Sequence, residues 1–334
     1  MSEPRKGPLR RFFGAIWRVY KGFRATILNL LFIFIVAIVL IAMFSGEDEV
    51  KIADTAALVL NLNGDLVEEL RWVDPVSAAV NDSLGGGEES PEVLVSDVVK
   101  VIETATTDNR IQAMVLDLSG LRSASLDKMQ RVGTAIDAFK AAGKKVFSHG
   151  AYYGQTQYYL ASYADEISLS PMGAVILEGY GSYPMYYKEA LEKLKINTHV
   201  FRVGTYKSAV EPFLRNDMSD AAKEANIAWL SDLWNTYKQD VSSRRGFEIS
   251  NFDETYDALL QKLQTADGDT AQYAINNSFA DNIATREQFH QKLIAIVGEN
   301  DKHAYNHVGF DDYAKYAIPS ADFVNPLTSK VAVV

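Results

Sequence analysis

The sequence predicts an α/β domain with a mainly parallel sheet and a helical C-terminal part, preceded by one transmembrane helix. Three observations lead to this prediction: an uncharged apolar window near the N-terminus, apolar runs that alternate with helical patterns in the middle, and helical patterns that dominate the last third. Strands that alternate with helices favour a parallel sheet covered by helices. The 334 residues are enough for one large domain or two small ones.

Composition narrows the class of protein and the kind of site. The chain is 48% hydrophobic and 23% charged, which is typical of a globular protein and excludes a globally disordered one. It has no cysteine, which excludes disulfide scaffolds, cysteine nucleophiles and thiolate metal sites. Its net charge of −10 argues against a general nucleic-acid binder, so we expect no nucleic-acid partner.

The N-terminal apolar window is interpreted as an uncleaved anchor at residues 26–45. Residues 25–46 contain no charge, and as a helix they reach about 33 Å, enough for a hydrocarbon core of about 30 Å. A cleaved signal peptide is the alternative, but its apolar stretch would be shorter, with small residues where this sequence has Met43 and Phe44. A buried core helix is disfavoured because the segment is apolar on every face.

The charges on either side of this segment predict its orientation. Residues 1–25 carry seven Lys and Arg against one Glu, whereas residues 47–49 are all acidic. The positive end stays in the cytoplasm, so we expect a single-pass protein of the inner (cytoplasmic) membrane with its main domain in the periplasm. The basic tail, with Trp17, Tyr20 and Phe23, either lies against anionic headgroups or only orients the anchor.

Beyond a linker at residues 46–55, strands and helices alternate in one module over residues 56–325. The predicted strands are 56–63, 111–118, 144–148, 167–170, 174–177 and 198–203. The predicted helices are 93–106, 126–142, 155–164, 186–194, 220–245 and 253–263. Gly64-Asp65 is expected to close the first strand, and three consecutive glycines predict a flexible loop at 81–91.

The last residues read as the start of another strand. Lys330-Val-Ala-Val-Val334 is apolar and similar to Ala56-Ala-Leu-Val-Leu60, the first strand of the module. We therefore expect residues 326–334 to begin a second, similar repeat that the chain does not complete.

The sequence offers few conventional nucleophiles or metal ligands. It contains no Gly-x-Ser-x-Gly elbow. His303 and His307 are four residues apart in a polar, loop-like region, and we expect a solvated loop there rather than a metal site. Ser125 and Lys128 match a Ser-x-x-Lys pattern, yet Ser125 directly precedes a helix, so a helix cap is the favoured interpretation. We expect neither a metal nor a cofactor.

Lys207 is the most distinctive candidate for catalysis. It follows a predicted strand and Gly204, and it lies among Tyr206, Val210 and Phe213, which would partly desolvate it. Desolvation lowers a lysine's pKa, and a neutral lysine can take a proton from a serine hydroxyl without a histidine. The alternative is a surface lysine paired with Glu211.

The segment around Lys207 carries a family resemblance. The run Val203-Gly-Thr-Tyr-Lys-Ser-Ala-Val-Glu-Pro-Phe213 resembles the catalytic-lysine segment of the bacterial signal peptide peptidase A (protease IV) family. Three shorter matches support it, and the resemblance covers essentially the whole chain in order. They are Gln157-Tyr-Tyr-Leu-Ala-Ser162, Leu191-Glu-Lys-Leu-Lys195 and Gly268-Asp-Thr-Ala271.

The resemblance implies a crotonase-like fold, related to the Clp protease subunit, and a serine endopeptidase that degrades cleaved signal peptides and other apolar peptides. In the long form of the family, two tandem halves follow one anchor and share a Ser–Lys dyad. The first half supplies the lysine, which carries over to Lys207, and the second half supplies the serine. The family also implies a homotetramer beside the lipid bilayer.

This sequence departs from the full pattern at the nucleophile. The family's nucleophile motif resembles Ser-Met-Gly-x-x-Ala-Ala-Ser-Gly-Gly-Tyr, and the matching stretch here is Ser148-His-Gly-Ala-Tyr-Tyr-Gly-Gln-Thr-Gln-Tyr158. Gln155 falls at the nucleophile position, and an amide is not a nucleophile of this kind. Thr156 is adjacent without support from the family, and Ser208 is expected to help hold Lys207.

Two other functions remain open. A non-catalytic, membrane-anchored scaffold would explain the missing nucleophile. An acyl-CoA enzyme is suggested by the crotonase-like fold alone, but a domain outside the cytoplasm would meet no acyl-CoA.

Overall fold

The computed structural model describes residues 8–44, 51–72, 74 and 91–318, and it separates into two units, residues 1–50 and 51–334. The predicted strand at 330–334, the start of a second repeat, and nearly all of the glycine-rich loop lie outside the described residues.

The first unit is one long helix, α1 (Pro8–Phe44), of 37 residues. Its stretch Val19–Ile38 is long and apolar enough to cross a membrane, and none of that stretch is buried in the protein. This confirms the predicted N-terminal apolar helix. The helix begins well before residue 26, because the basic tail is itself helical: Trp17 stacks on Tyr20 at 5.6 Å, and the Lys21 ammonium lies 5.7 Å from the Trp17 ring.

The second unit is built on two parallel sheets. The larger has the strand order β8-β7-β6-β4-β1-β9, and the smaller has the order β3-β2-β5. Every strand pair in both sheets is parallel, which confirms the predicted α/β class. The strands are β1 (Ala56–Asn61), β2 (Gly64–Val67), β3 (Glu92–Leu94), β4 (Ile111–Asp117), β5 (Leu121–Ser123), β6 (Lys145–Tyr153), β7 (Glu166–Val175), β8 (Asn282–Ile283) and β9 (His307–Gly309).

Helices follow most of the strands and make up most of the last third, as predicted. They are α2 (Val95–Thr107), α3 (Leu126–Ala141), α4 (Gln155–Ala161), α5 (Lys188–Lys193), α6 (Glu211–Leu214), α7 (Asp220–Arg245), α8 (Tyr256–Thr265), α9 (Thr270–Asn276), α10 (Arg286–Val297) and α11 (Phe310–Ala317). A 3-10 turn at Ile249–Phe252 separates α7 from α8.

The bounds of α7 agree with the prediction because both helix ends carry strong signals. The Ser219 hydroxyl accepts a hydrogen bond from the Ala222 N–H, which caps the first turn. Gly246 ends the helix in the left-handed region at φ 69°. These two residues define a helix of 26 residues whose buried Tyr237 faces the domain core.

Three strand predictions are corrected. Residues 198–203 form no strand, although the structure describes all of them, and the side chains of Phe201 and Val203 are 97% and 85% exposed. An apolar run becomes a strand only where a neighbouring strand pairs with it. The predicted strands 167–170 and 174–177 are two parts of β7, which continues past an irregularity opposite Gly150 and Tyr152.

Gly64 starts a strand instead of closing one. Its φ is +93°, and a Cβ there would lie 1.8 Å from the Pro91 carbonyl oxygen, so only glycine fits between β2 and β3. The turn that the sequence suggested is the short passage between β1 and β2.

The substitution Gly64→Ala is expected to lower the free energy of unfolding by about 1–3 kcal/mol, through strain at positive φ and the clash with Pro91. Denaturant unfolding of the chain in detergent measures the loss. The matched control is Gly143→Ala, where φ is +86° but nothing lies within 4 Å of the new Cβ. Equal losses in the two variants would contradict the close approach of Pro91.

Candidate active site

The carboxyl ends of the parallel strands define the candidate site. Strand β6 runs into Gly154, and α4 begins at Gln155. Strand β4, its neighbour in the sheet, ends at the same edge. In parallel α/β sheets ligands bind beyond this edge, so Gln155 occupies a position where chemistry is expected.

The Gln155 side chain is used as a structural connector. Its Oε1 accepts a hydrogen bond of 2.8 Å from the backbone N–H of Gly179, in the segment that follows β7. Its backbone carbonyl accepts one of 3.0 Å from the Tyr237 hydroxyl on α7. Gln155 therefore ties three elements together but supplies neither a nucleophile nor a base.

Aromatic side chains from α7 line this corner of the domain. Tyr237 stacks on Trp234 with ring centroids 5.1 Å apart, and Trp234 meets Tyr180 edge-on at 6.2 Å. Burial raises the pKa of the Tyr237 phenol well above its usual value, so the hydroxyl stays protonated and can donate to Gln155. The result is a rigid apolar wall beside the start of α4.

Lys207 lies in the irregular segment between α5 and α6. Its backbone carbonyl accepts a hydrogen bond of 2.8 Å from Arg202 Nη1. A Cβ on Gly204, whose φ is +116°, would lie 3.6 Å from the Lys207 side-chain carbons, so the lysine stem folds over this glycine.

The expected surroundings of the Lys207 ammonium are absent from the described residues of this chain. The side chain is exposed, and its ammonium makes neither an ion pair nor a hydrogen bond with any residue that the structure describes. The expected desolvation by Tyr206, Val210 and Phe213 is therefore not provided within one copy of the chain. Phe213 lies in α6 and packs on Tyr187, with ring centroids 6.2 Å apart, and the Tyr206 hydroxyl donates to Glu224.

Glu211, the expected surface partner of Lys207, has other partners. It is only 2% exposed, and one carboxylate oxygen accepts a hydrogen bond of 3.0 Å from the Ser219 N–H. Its other oxygen, Oε1, lies 3.9 Å from Arg202 Nη1. Hydrogen bonding with Ser219 is the main cause that lowers the pKa of Glu211. Lys207 is thus exposed at the surface, as the alternative interpretation expects, but its ion pair with Glu211 does not occur among the described residues.

The structure does not bring the other serine and threonine candidates to Lys207. Thr156 is the second residue of α4, and Ser208 contributes its backbone carbonyl to the Glu211 N–H at 2.9 Å. No hydrogen bond joins Lys207 to Gln155, Thr156 or Ser208 within the part of the chain that the structure describes. The expectation that Ser208 holds the lysine has no contact to support it.

Ser125 occupies the N-cap position of α3, as predicted, but its hydroxyl does not cap the helix backbone. It accepts a hydrogen bond of 2.8 Å from the Lys128 ammonium, one turn further along. The long lysine side chain reaches back to the hydroxyl. The pair lies at the surface, where such a contact contributes little.

The two histidines considered for a metal site serve separate contacts. His303 Nδ1 lies 2.8 Å from Glu299 Oε1, and His307 Nδ1 lies 2.8 Å from the Tyr305 carbonyl oxygen. No group of three or more His, Cys, Asp or Glu able to hold a metal ion occurs among the residues that were described.

A cavity of about 370 Å³ lies beside the end of β7, and the sequence patterns did not reveal it. Val175 at the end of β7 and Ile176, which follows it, line the cavity together with Leu259, Leu263 and Phe279. The apolar positions of α8, four residues apart, were the available signal. Burial raises the pKa of Tyr273 in this cavity to about 12, so its hydroxyl remains a donor to Glu254.

Comparison with known proteins gives a family for this arrangement. Residues 138–294 match the model of Peptidase family S49, a range that contains Gln155 and Lys207. Protease 4 of Haemophilus influenzae is 37% identical over 325 residues, which cover 95% of this chain and 52% of that protein. The chain thus spans about half the length of the curated relatives it matches.

Two solved structures resemble the chain at low sequence identity. One is the 1510-N membrane-bound stomatin-specific protease in complex with a substrate peptide, at 12% identity and a TM-score of 0.34, covering 77% of this chain and 92% of that chain. The other is an enoyl-CoA hydratase/isomerase family member, at 12% identity and a TM-score of 0.29, covering 61% of this chain and 63% of that chain.

The strong match to Protease 4 runs along nearly the whole chain, and the S49 match covers the strands and loops that carry the candidate site. The chain is a homologue of Protease 4 and carries a domain of the serine peptidase family S49.

Proposed function

We propose that this chain is the anchor and the lysine-bearing half of a membrane-anchored serine endopeptidase that degrades cleaved signal peptides and other apolar peptides. Lys207 is the general base of a Ser–Lys dyad, and the serine comes from a second half that follows in a longer protein. The observation that carries the proposal is a Lys207 ammonium that pairs with no described residue, combined with an amide, Gln155, at the start of α4. A homologue of this family retains the base in this half but not the nucleophile.

The chemistry needs a lysine that gives up its proton. A neutral lysine removes the proton from the serine hydroxyl as the oxygen attacks the peptide carbonyl, and the proton then passes to the leaving amine. Lys207 next takes a proton from the water that hydrolyses the acyl-enzyme. Among the described residues, no carboxylate forms an ion pair with Lys207.

The anchor supports an apolar substrate. Helix α1 carries exposed apolar side chains along its candidate span and cations at its start, which favours a single-pass arrangement in the inner membrane with the catalytic domain in the periplasm. The basic tail then lies against anionic headgroups. Spent signal peptides are apolar and lie in the bilayer, so an anchored enzyme meets them nearby.

Exposed apolar side chains around Lys207 support an oligomer. Three examples in the segment that carries Lys207 are Phe201, Val203 and Tyr206, at 97%, 85% and 58% exposure. A surface of this kind is unfavourable in water and typically marks a protein contact. We propose that a second copy covers it, in a tetramer as the family resemblance implies, and that this contact provides the desolvation which Lys207 lacks in one chain.

Lys207→Ala in the longer protein is expected to lower kcat on a signal-peptide-like substrate by about 10²–10⁴-fold, because the general base is lost. Turnover in detergent measures the effect. Lys195→Ala, an exposed lysine in the same region, is the matched control and keeps wild-type turnover. Wild-type turnover by the Lys207 variant would rule out the proposed base.

The 334-residue chain alone is expected to be inactive, whereas a chain extended through the second half cleaves the same substrate. Activity in the short chain would contradict the assignment of the nucleophile and return Thr156, Ser125 and Ser208 to consideration. Inactivity of both chains would favour the second candidate, a non-catalytic scaffold. That candidate also agrees with the lack of a hydrogen bond between Lys207 and Thr156 or Ser208 among the described residues.

Phe201→Asp is expected to shift the protein to smaller assemblies in sedimentation experiments, because the charge would be buried in the proposed contact between copies. Tyr256→Asp is the control, since Tyr256 is 78% exposed at the start of α8, outside the apolar region around Lys207. An unchanged assembly state in the Phe201 variant would contradict the location of this contact.

A further inference from the structure

Few contacts hold the loop that carries Lys207. Residues 196–203 form neither helix nor strand, and residues 204–208 contain only a bend at Gly204 and a turn at Thr205 and Tyr206. Besides the Arg202 contact to the Lys207 carbonyl, the loop is held by the Tyr206 hydroxyl on Glu224 at 3.2 Å and by the Glu211 N–H on the Ser208 carbonyl at 2.9 Å. The conformation of the lysine backbone therefore depends on Arg202.

Arg202 is itself held by a buried carboxylate. Its Nη1 lies 2.8 Å from the Lys207 carbonyl oxygen and 3.9 Å from Glu211 Oε1. This nitrogen carries two hydrogens, so one guanidinium group can be directed at both oxygens. Arg202 is 38% exposed, whereas Glu211 is 2% exposed, so the buried partner is the fixed one.

The Glu211 carboxylate needs this arginine. Oε1 is buried and has no hydrogen-bond partner, and Arg202 is its one cation within 4 Å among the residues described. A buried charge without a partner is costly, so Glu211 strongly favours a conformation that keeps the guanidinium beside it. Arg215, the other cation that acts on Glu211, is engaged with Asp217 at 2.9 Å.

Glu211 is also fixed by its own element. It is the first residue of α6, its other oxygen accepts the Ser219 N–H, and Pro212 follows it directly. The Pro212 carbonyl accepts a hydrogen bond of 2.7 Å from the Tyr187 N–H, next to α5. The buried carboxylate is thus held on two sides, and Arg202 connects it to the exposed Lys207 loop.

We propose that Arg202 and Glu211 are positioning residues for Lys207: the buried Glu211 carboxylate orients the Arg202 guanidinium, which fixes the Lys207 carbonyl and with it the direction of the lysine side chain. This inference rests on the proposed role of Lys207 as the base. Neither residue touches the substrate, and both act through the loop at residues 204–208.

The experiment combines turnover of the longer protein with amide hydrogen exchange of the 334-residue chain. Arg202→Ala and Glu211→Gln are each expected to lower kcat by about 10²-fold with KM nearly unchanged, since a base displaced by about 1 Å loses this much rate. Exchange of the amide at position 211, which donates to the Ser208 carbonyl oxygen of the loop at 2.9 Å, is expected to rise by at least about 10-fold. The double variant should be no slower than the slower single variant, because the two residues act through one contact.

Rescue and a matched control separate positioning from general stability. Arg202→Lys retains one cation that can donate to the Lys207 carbonyl, so it recovers part of the lost rate. Arg131→Ala removes an exposed ion pair with Glu68, where both side chains are about half exposed, and changes neither readout. If Glu211→Gln unfolds the domain, Arg202→Ala alone tests the inference, because the Arg202 side chain is 38% exposed and its loss leaves no large cavity.

Each remaining outcome is decisive. A wild-type kcat in Arg202→Ala overturns the positioning inference, whether or not amide exchange rises. If kcat is lost in Lys207→Ala in the same experiments, the proposed function still stands. Unchanged exchange of the amide at position 211 in Arg202→Ala also overturns the positioning inference. Wild-type turnover in Lys207→Ala defeats the proposed function itself, and this result is distinguishable because it does not involve Arg202.

Discussion

The parallel register of the six-stranded sheet is the constraint on which the rest of the structure depends. It brings the carboxyl ends of β4, β6 and β7 to one edge, where β6 leads into α4 and β7 leads into the segment that contains Gly179. Gln155 and Gly179 meet there through a hydrogen bond of 2.8 Å. The chemistry of this edge therefore depends on which side chain begins α4 and on how the segment after β7 is held.

This half of the site has the features of a base without a nucleophile. Gln155 uses its side chain to connect elements, and Lys207 is exposed with no partner for its ammonium among the described residues. The large apolar side chains beside Lys207 are exposed as well. We propose one physical explanation for both features: further protein surface covers this region and completes the site. That explanation agrees with a chain that matches about half of its Protease 4 relative.

Local signals predicted the elements whose boundaries depend on their own residues. Ser219 and Gly246 delimit α7, and the alternation of apolar runs with helical patterns is sufficient for the parallel sheet. The sequence-based predictions are wrong where contacts between distant parts of the chain determine the local structure. The run at 198–203 has strand composition but no neighbouring strand, and Gly64 resembles a turn glycine although its role is to admit the Pro91 carbonyl. The Arg202 contact to Glu211 depends on the path of an irregular segment, which periodicity does not describe.

The most direct test of a divided site is a structure of the longer protein with a trapped peptide substrate. The account predicts that a serine Oγ from outside these 334 residues lies within hydrogen-bond distance of Lys207 Nζ, about 2.6–3.2 Å, with apolar side chains of another copy or repeat excluding water around it. A Lys207 ammonium that faces solvent in that structure, or whose nearest reactive hydroxyl belongs to this chain, would contradict the account.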